Sequence, residues 1–556
     1  MKILKLFLYI ILPIYEIESV NVLFFLIGTN QFERHIFEYM AQQLALRHHT
    51  TVTVKPILIP EEPRLVKHKL HMVKEKVIKN MLPKELYEPL VKIGSDVPWR
   101  ETYEYETMDE PYWTAHNYSC GKMLNSDLMD IIKKEEIDVA IVYSKNPCQL
   151  SLLHVLGIPF IYFDLDGFTD ETIIASSTPW NLNSELSNCP LAHTLTNKLL
   201  QKFANGLCLS RQFLIQIGIP YISRLLSKQY RKLDGEVSKL FEEDYEIKKR
   251  FKSFPDVNIL RRQADLYFVN TDIFLENSLS LPTNVIPVGG LHIDHVKPLF
   301  YPWNTTIASA KSGVIVVSFG TQSTINGIKP ELYKSLYNVL SKLTTYRIYW
   351  RLGPEYEELG IDINSVPSHI NITTFIPQND LLAHKKTKLF ITNGGISSIM
   401  ESIIHEVPMV GIPLYGVNRQ NLYKMRNKGL GLVIEKADVT EKSLMKTIKM
   451  VLENNKYSIA VRDMSKAIKF RPESAFDRAL YYIEHVGRHR GAKFLREKYS
   501  FERFFSQINI YVTLFVVIGI IINIQLLVLF IRYIFIKFKK VETGKITKKS
   551  GKQKKE

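Results

Sequence analysis

Short apolar runs rich in β-formers recur along this chain, each followed by a longer stretch with helical spacing. VNVLFFLI (20–27), the run at 50–56, IDVAIVY (137–143) and IPFIYFD (158–164) form one series. VIVVSF (314–319), the run at 346–350, LFIT (389–392) and the run at 409–412 form a second. Apolar runs separated by helices belong to parallel strands covered on both faces. The alternation predicts an α/β protein made of two doubly wound halves. The junction falls near 255–300, where Leu281-Pro282, Pro287-Val288-Gly289-Gly290 and Tyr301-Pro302 interrupt regular structure. Ligands of such sheets bind at the carboxyl ends of the strands, so a cleft between the halves is the expected site.

At 556 residues the chain is long enough for two or three domains. Residues 1–19 carry two lysines ahead of an apolar run too short to span a bilayer, the pattern of a signal peptide. Residues 508–531 hold no charge and are long enough to cross a membrane as a helix. The 25 residues after them, 532–556, hold nine Lys, one Arg and two Glu, a net +8 of the chain's +16. A basic tail behind an apolar span is expected on the cytoplasmic side, which gives a single-pass type I topology. The final KQKKE resembles a dilysine endoplasmic-reticulum retrieval signal. With half the excess charge in the tail, nucleic acid is not an expected partner. Between these ends the reading places an N-terminal half at 20–284, a C-terminal half at 285–471 and C-terminal helices at 472–507. Sequons at Asn117, Asn304 and Asn371 are candidate glycosylation sites. Four cysteines, Cys120, Cys148, Cys189 and Cys208, allow one or two disulfides of undetermined pairing, and no metal-ligand spacing is present.

One stretch of the second series carries chemistry of its own. After LFIT comes Asn393-Gly394-Gly395, then a helix start over roughly 398–405. The glycines permit a tight turn and close approach of a ligand to the backbone. Free N–H groups at a helix start attract anions, phosphate above all, and Ser397 and Ser398 can cap or line that start.

Several separated pieces together resemble the membrane-bound UDP-glycosyltransferases of the UDP-glucuronosyltransferase type. They are VIPVGGLH (285–292), GVIVVSFGT (313–321), YWRLG (349–353), FIPQNDLLAH (375–384), FITNGGISSIMESIIHEVPMVGIPLYGVNRQN (390–421) and DRALYYIEHVGRHRGAKFLR (477–496). The resemblance implies two Rossmann-like halves of the GT-B type. It implies an inverting transfer of a sugar (glucuronate, glucose or similar) from a UDP-sugar to a small lipophilic acceptor in the endoplasmic-reticulum lumen. The UDP-sugar is a co-substrate, and no further cofactor or metal is implied. Homo- or hetero-oligomers with related transferases stay open. Carried onto this chain, the uracil platform is Phe375, Gln378 contacts the ribose, and Glu401 accepts from the ribose hydroxyls. Ser318, Gly320 and Thr321 face the same cleft. Gly395, Ser397 and Ser398 meet the diphosphate.

Three departures from the family pattern bear on activity. Asn393 stands where the family has His, and Val417-Asn418 stands where it has Asp-Gln, so the donor sugar does not transfer with the resemblance. Arg419 is a neighbouring cation, either a carboxylate partner or solvated. The family's basic His falls at Glu33, with His35 two residues on, and its orienting Asp falls near Tyr143. Glu33 and His35 are therefore both candidates for the base. Asp164-Leu165-Asp166 imitates a metal-binding pattern but reads better as a polar loop lining the cleft. A catalytically silent relative that binds nucleotide or hydrophobic ligand, or that partners an active transferase, is the competing reading.

Overall fold

The computed structural model describes residues 19–26, 31–60, 72–103, 109–143, 145–179, 197–276, 281–293, 295–320, 328–352, 366–496, 518–519 and 521–534. Two parallel sheets organise the first of two compact units. The first sheet has seven strands: β1 (Asn21–Phe25), β2 (Thr50–Pro56), β3 (Val73–Ile78), β4 (Val139–Tyr143), β5 (Phe160–Asp164), β6 (Leu266–Val269) and β7 (Val285–Pro287). Their order is β3-β2-β1-β4-β5-β6-β7. The second has six: β8 (Gly313–Ser318), β9 (Tyr346–Arg351), β10 (Ile370–Thr373), β11 (Thr387–Thr392), β12 (Met409–Gly411) and β13 (Gly431–Val433). Their order is β10-β9-β8-β11-β12-β13. The two-half α/β expectation is met.

The central strands β4, β5 and β8 are buried along their whole length, and β11 in all but one residue. That is why their sequences read as continuous apolar runs. The first sheet continues through Pro287, just past the 284/285 boundary placed from sequence, because β7 pairs in register with β6. Chain order reverses direction between β1 and β4 in one sheet and between β8 and β11 in the other. At such a switch point the flanking loops diverge and leave a crevice. The loops after β4, β8 and β11 therefore carry the residues of interest.

Two excursions cross between the halves. Trp99, in the short turn Val97–Trp99, is buried among Ile315, Val317 and Trp350 of the second core although it precedes that half by some 200 residues in sequence. Conversely, helix Ala475–His489 returns to the first core, where Phe476, Ala479, Ile483 and Val486 pack with Val20 and Val22. It is pinned there by Glu484, whose Oε1 lies 3.0 Å from His49 Nε2. Burial holds the His49 ring below the usual histidine range, against the opposing pull of Glu484. Within the first half, Cys120 and Cys148 form a disulfide between helices Glu110–Leu124 and Pro147–Leu156, and Cys208 is disulfide-bonded as well.

The second unit contains the described helical residues 518–519 and 521–534, whose apolar side chains are exposed. Among the described residues no helix is long and apolar enough to cross a membrane. Residues 508–517 of the expected span lie outside the described residues.

Trp99→Ala removes a large side chain from the second core without changing any strand residue. It is expected to lower stability by about 3–5 kcal/mol, read as an earlier denaturation midpoint with unchanged far-UV circular dichroism. An unmoved midpoint would show that Trp99 does not anchor the crossing segment.

Candidate active site

The turn between β11 and helix Ile396–Ile404 is held rigidly by its own side chains. Gly394 has a φ of +90°, and a Cβ there would lie 2.3 Å from Leu422 Cγ, so the position requires glycine. The Asn393 amide donates from Nδ2 to the Phe319 carbonyl at 2.7 Å, and Gly395 N donates to Asn393 Oδ1 at 3.2 Å. Asn393 thus ties the loop after β8 to the loop after β11 across the switch point. On the β8 side, Gly320 (φ +79°) donates its N–H to Ser318 Oγ at 3.5 Å, while its carbonyl accepts from Arg351 Nη1 at 2.7 Å. Thr321 lies outside the described residues. The helix itself starts at Ile396, two residues earlier than the sequence spacing indicates, and Gly395 supplies no side-chain cap. Its first N–H groups, on Ile396, Ser397 and Ser398, have no intrahelical partner and carry the positive end of the helix dipole. The geometry suits an anion.

Around that helix the predicted nucleotide residues converge. Gln378, first residue of helix Gln378–Ala383, donates from Nε2 to Glu401 Oε2 at 2.6 Å and to Ser398 Oγ at 3.1 Å. Glu401 Oε1 lies 3.3 Å from His292 Nε2, with both side chains largely buried. The carboxylate is therefore held by Gln378 and lies against His292, and each oxygen retains a lone pair for a hydroxyl donor. Phe375 precedes this helix with 68% of its surface exposed. Thr373 fixes its backbone, giving a hydrogen bond to the Phe375 carbonyl and taking one from the Phe375 N–H. An exposed ring on a fixed turn can stack on a planar base.

The first half closes over this edge. Asn270, just after β6, donates from Nδ2 to Ser397 Oγ and to the Leu165 carbonyl, both at 2.9 Å. Asn421 Nδ2 donates to the Asp166 carbonyl at 3.0 Å. Ser397 Oγ accepts in this contact, which leaves its own hydrogen to donate. Asn421 belongs to helix Asn418–Asn427, which starts beside the turn. There Asn418 is 7% exposed and its Nδ2 has no hydrogen-bond partner among the described residues. Arg419, considered as a carboxylate partner or as solvated, is paired with a carboxylate of this chain. Its Nε lies 2.9 Å from Glu435 Oε1, and its guanidinium stacks on Tyr423 at 4.5 Å.

The opposite wall, at the ends of β4 and β5, holds the acceptor-side candidates. Glu33 is in helix Gln31–Leu46, its side chain outside the described residues, and His35 is exposed on the same helix. Tyr143 ends β4 and donates its hydroxyl to Asp166 Oδ2 at 3.0 Å, and Lys145 pairs with the same carboxylate. Asp164 is fully buried and organises its own loop, accepting at Oδ2 from Thr169 N (2.9 Å), Thr169 Oγ1 and Thr172 Oγ1 (both 2.6 Å). His292, Asn270, Asn421 and Lys145 were not singled out from the sequence. His292 and Asn421 stand inside matched motifs, whereas Asn270 and Lys145 reach the site only through tertiary contact. Of the three sequons, Asn304 is exposed, whereas the Asn117 amide donates to the Lys232 carbonyl at 2.7 Å and Asn371 lies within β10.

Two parallel sheets, each with a switch point, and an uncapped helix start beside a carboxylate and an exposed ring define a two-Rossmann protein with a candidate nucleotide site. The family profile described as "UDP-glucoronosyl and UDP-glucosyl transferase" matches residues 37–552, and the chain belongs to that family. Human 2-hydroxyacylsphingosine 1-beta-galactosyltransferase is 30% identical over 385 residues, which cover 68% of this chain and 64% of the relative. Human UDP-glucuronosyltransferase 2B15 is 28% identical over 443 residues, 77% of each chain. Among solved structures, Os79 from O. sativa, in complex with U2F and trichothecene, aligns over 84% of this chain and all of its own, at TM-score 0.56 and 14% identity. At that identity the match speaks for the fold alone.

Asp170, at the start of the short helix after the Asp164–Asp166 loop, reports on this wall through its charge. Burial pushes its carboxyl up to about 7, opposed by Lys424 and reinforced by Asp164. Its folded pKa is raised above the unfolded value, so its contribution to stability is complete below pH 4 and is lost as pH rises toward 7. Asp170→Asn should accordingly raise the thermal midpoint relative to wild type at pH 8 and leave it unchanged at pH 4. A difference of equal size at both pH values would exclude titration of Asp170.

Proposed function

We propose that this protein transfers a hexosyl group from a UDP-sugar to a hydroxyl of a small lipophilic acceptor, with inversion at the anomeric carbon. The observation that carries the reading is the uncapped start of helix Ile396–Ile404 beside the Gln378–Glu401 pair and the exposed Phe375. Phe375 stacks on the uracil, Glu401 accepts the ribose hydroxyls, and the N–H groups of 396–398 with the Ser397 hydroxyl hold the diphosphate. The base takes the acceptor's proton, and the acceptor oxygen attacks the sugar C1 from the face opposite UDP. The bond from C1 to the β-phosphate oxygen then breaks, and its electron pair leaves with UDP, whose charge the helix start stabilises. In this reading Asn418, whose buried amide donor has no hydrogen-bond partner among the described residues, meets the sugar.

Glu33 and His35 are the candidates for the base, on the segment that follows β1. UDP release from full-length protein given UDP-glucose, UDP-glucuronate or UDP-N-acetylglucosamine with a panel of phenols tests the activity. Glu33→Gln is expected to lower kcat by about 10²-fold or more at unchanged UDP affinity. A fully active Glu33→Gln protein beside an inactive His35→Gln one would transfer the role to the imidazole.

A second reading is favoured by one specific feature. The Asn393 side chain is engaged by Phe319 and Gly395 and brings no positive charge to the leaving group. In that reading the protein binds nucleotide without turning it over. UDP protection in a thermal melt, with no UDP release from any donor, would favour it.

The chain is proposed to sit in the endoplasmic-reticulum membrane as a single-pass type I protein, with residues 508–531 spanning and both sheets luminal. Luminal exposure of the sequons makes glycosylation a test of topology. Asn304→Gln should abolish the mobility shift on deglycosylation, while Asn117→Gln should leave it in place. A shift that survives Asn304→Gln would contradict the ranking by exposure.

A further inference from the structure

The turn that leads into helix Asn418–Asn427 is held from outside itself. Val417, at the N-cap, gives no side-chain cap, and the buried Asn418 Nδ2 beside it has no hydrogen-bond partner among the described residues. A helix start of this kind leaves its first N–H groups without local support. Support comes from residues 100–103 of the first half, which continue from the buried Trp99. Arg100 fixes the base of this segment, its Nη1 donating to Asp109 Oδ2 at 2.8 Å. Gly416 N donates to the Tyr103 carbonyl at 3.1 Å. Lys436 Nζ donates to the Thr102 carbonyl at 2.7 Å and to the Leu414 carbonyl at 2.6 Å, so one ammonium group clips the two segments together.

The Tyr103 side chain makes a third tie. Its hydroxyl donates to Glu435 Oε2, 332 residues away in sequence. The other carboxylate oxygen takes Arg419 Nε and the Tyr423 hydroxyl, both on the helix that Asn418 begins. Burial and Glu435 raise the Tyr103 phenol above its usual range, so it stays a donor near neutral pH. A segment that only covered the second core would be complete at Trp99. Thr102 is exposed and Tyr103 half-buried, and their polar ties all converge on residues 414–436 around the turn.

We propose that residues 100–103 form a strap that sets donor-sugar recognition, with Tyr103 as a positioning residue acting through Asn418. The proposal rests on the reading above, in which Asn418 meets the sugar. The strap grips Leu414 and Gly416 on one side of the turn and, through Glu435, Arg419 and Tyr423 on the other. Val417 offers no polar group to a sugar hydroxyl, so recognition at this turn falls on the Asn418 amide and its placement. UDP itself is held, in that reading, by the 396–398 helix start and Glu401. A residue of the first half thus tunes which donor the second half accepts.

The test measures binding, which needs no turnover. Full-length protein is titrated calorimetrically with UDP, UDP-glucose and UDP-glucuronate. Tyr103→Phe keeps the ring and removes the hydroxyl. It is expected to leave UDP affinity unchanged while weakening the UDP-sugars several-fold and altering their ratio. Lys436→Met, which cuts a separate tie of the strap, should repeat the pattern. Asn418→Ala should lose the same sugar-dependent affinity, and Tyr103→Phe added to it should cost nothing further. Equal weakening of UDP and the UDP-sugars would show that Tyr103 supports only the fold, and would overturn the inference. Unchanged UDP-sugar affinity in both strap variants, or losses that add to that of Asn418→Ala, would overturn it as well. In these cases wild-type protein still binds UDP, whereas wild-type protein that binds no UDP sinks the nucleotide reading and the strap with it.

Discussion

The cleft depends on a buried ion pair between the halves. Lys424, on helix Asn418–Asn427, meets Glu276 of the first half at 2.8 Å, with side chains 4% and 6% exposed. Thr271 donates its hydroxyl to the same Glu276 oxygen, also at 2.8 Å. A pair so deeply buried gains little net stability over apolar side chains of the same volume, but losing one partner strands a charge. Its effect here is on register. The helix that carries Lys424 also carries Asn418 and Asn421, so fixing Lys424 fixes where those amides stand relative to the Asp164–Asp166 loop. A second pair, Arg471 to Asp272 at 2.6 Å, ties the end of the second half to the same region of the first. Together with the exchanged Trp99 and the returning helix Ala475–His489, these contacts make one compact unit of two sheets that the sequence reads as separate halves.

What the sequence makes legible follows burial. Strands covered on both faces, such as β4, β5 and β8, have no polar positions to confuse the reading, and their limits agree with the apolar runs to within two or three residues. The edge strand β3 is VKEKVI, half exposed and charged, and gives no such signal. β6, β7 and β13 are only three or four residues long and cannot establish a period. The same contrast governs the site. The Asn393–Gly395 turn and the Gln378–Glu401 pair are local arrangements, each carried by a motif. His292, Asn270 and Asn421 enter through contacts more than 100 residues apart in sequence, and although His292 and Asn421 end matched motifs, nothing local marks their partners. Arg419 shows the other side of this limit. Its type suggests a ligand contact, but its fate is decided by Glu435 and Tyr423, which only the fold brings close.

The departures from the family pattern are absorbed structurally in two different ways. Asn393 has become a brace, each end of its amide satisfied by backbone, so the turn keeps its shape without a cation. Tyr143 has become a donor to Asp166, which places a carboxylate from the loop after β5 near the end of β4. That carboxylate also holds Lys145. In the proposed reaction the Lys145–Asp166 pair can orient a polar group of the acceptor while Glu33 or His35 takes the proton. Positioning and proton transfer would then be separate, two roles that a His–Asp dyad would combine.

This separation has a consequence for where chemical control resides. The nucleotide edge is preorganised: Glu401 is held by Gln378 and His292, and the helix start is open before any ligand arrives. Preorganised donors aimed at the leaving group lower the barrier without moving, whichever group takes the proton. A weaker base then reduces the rate without removing the driving interaction, since departure of UDP and attack by the acceptor share one transition state. In the proposed reaction the residues that hold UDP therefore set whether transfer occurs at all, and the groups at the ends of β4 and β5 would set which acceptor hydroxyl is presented to it.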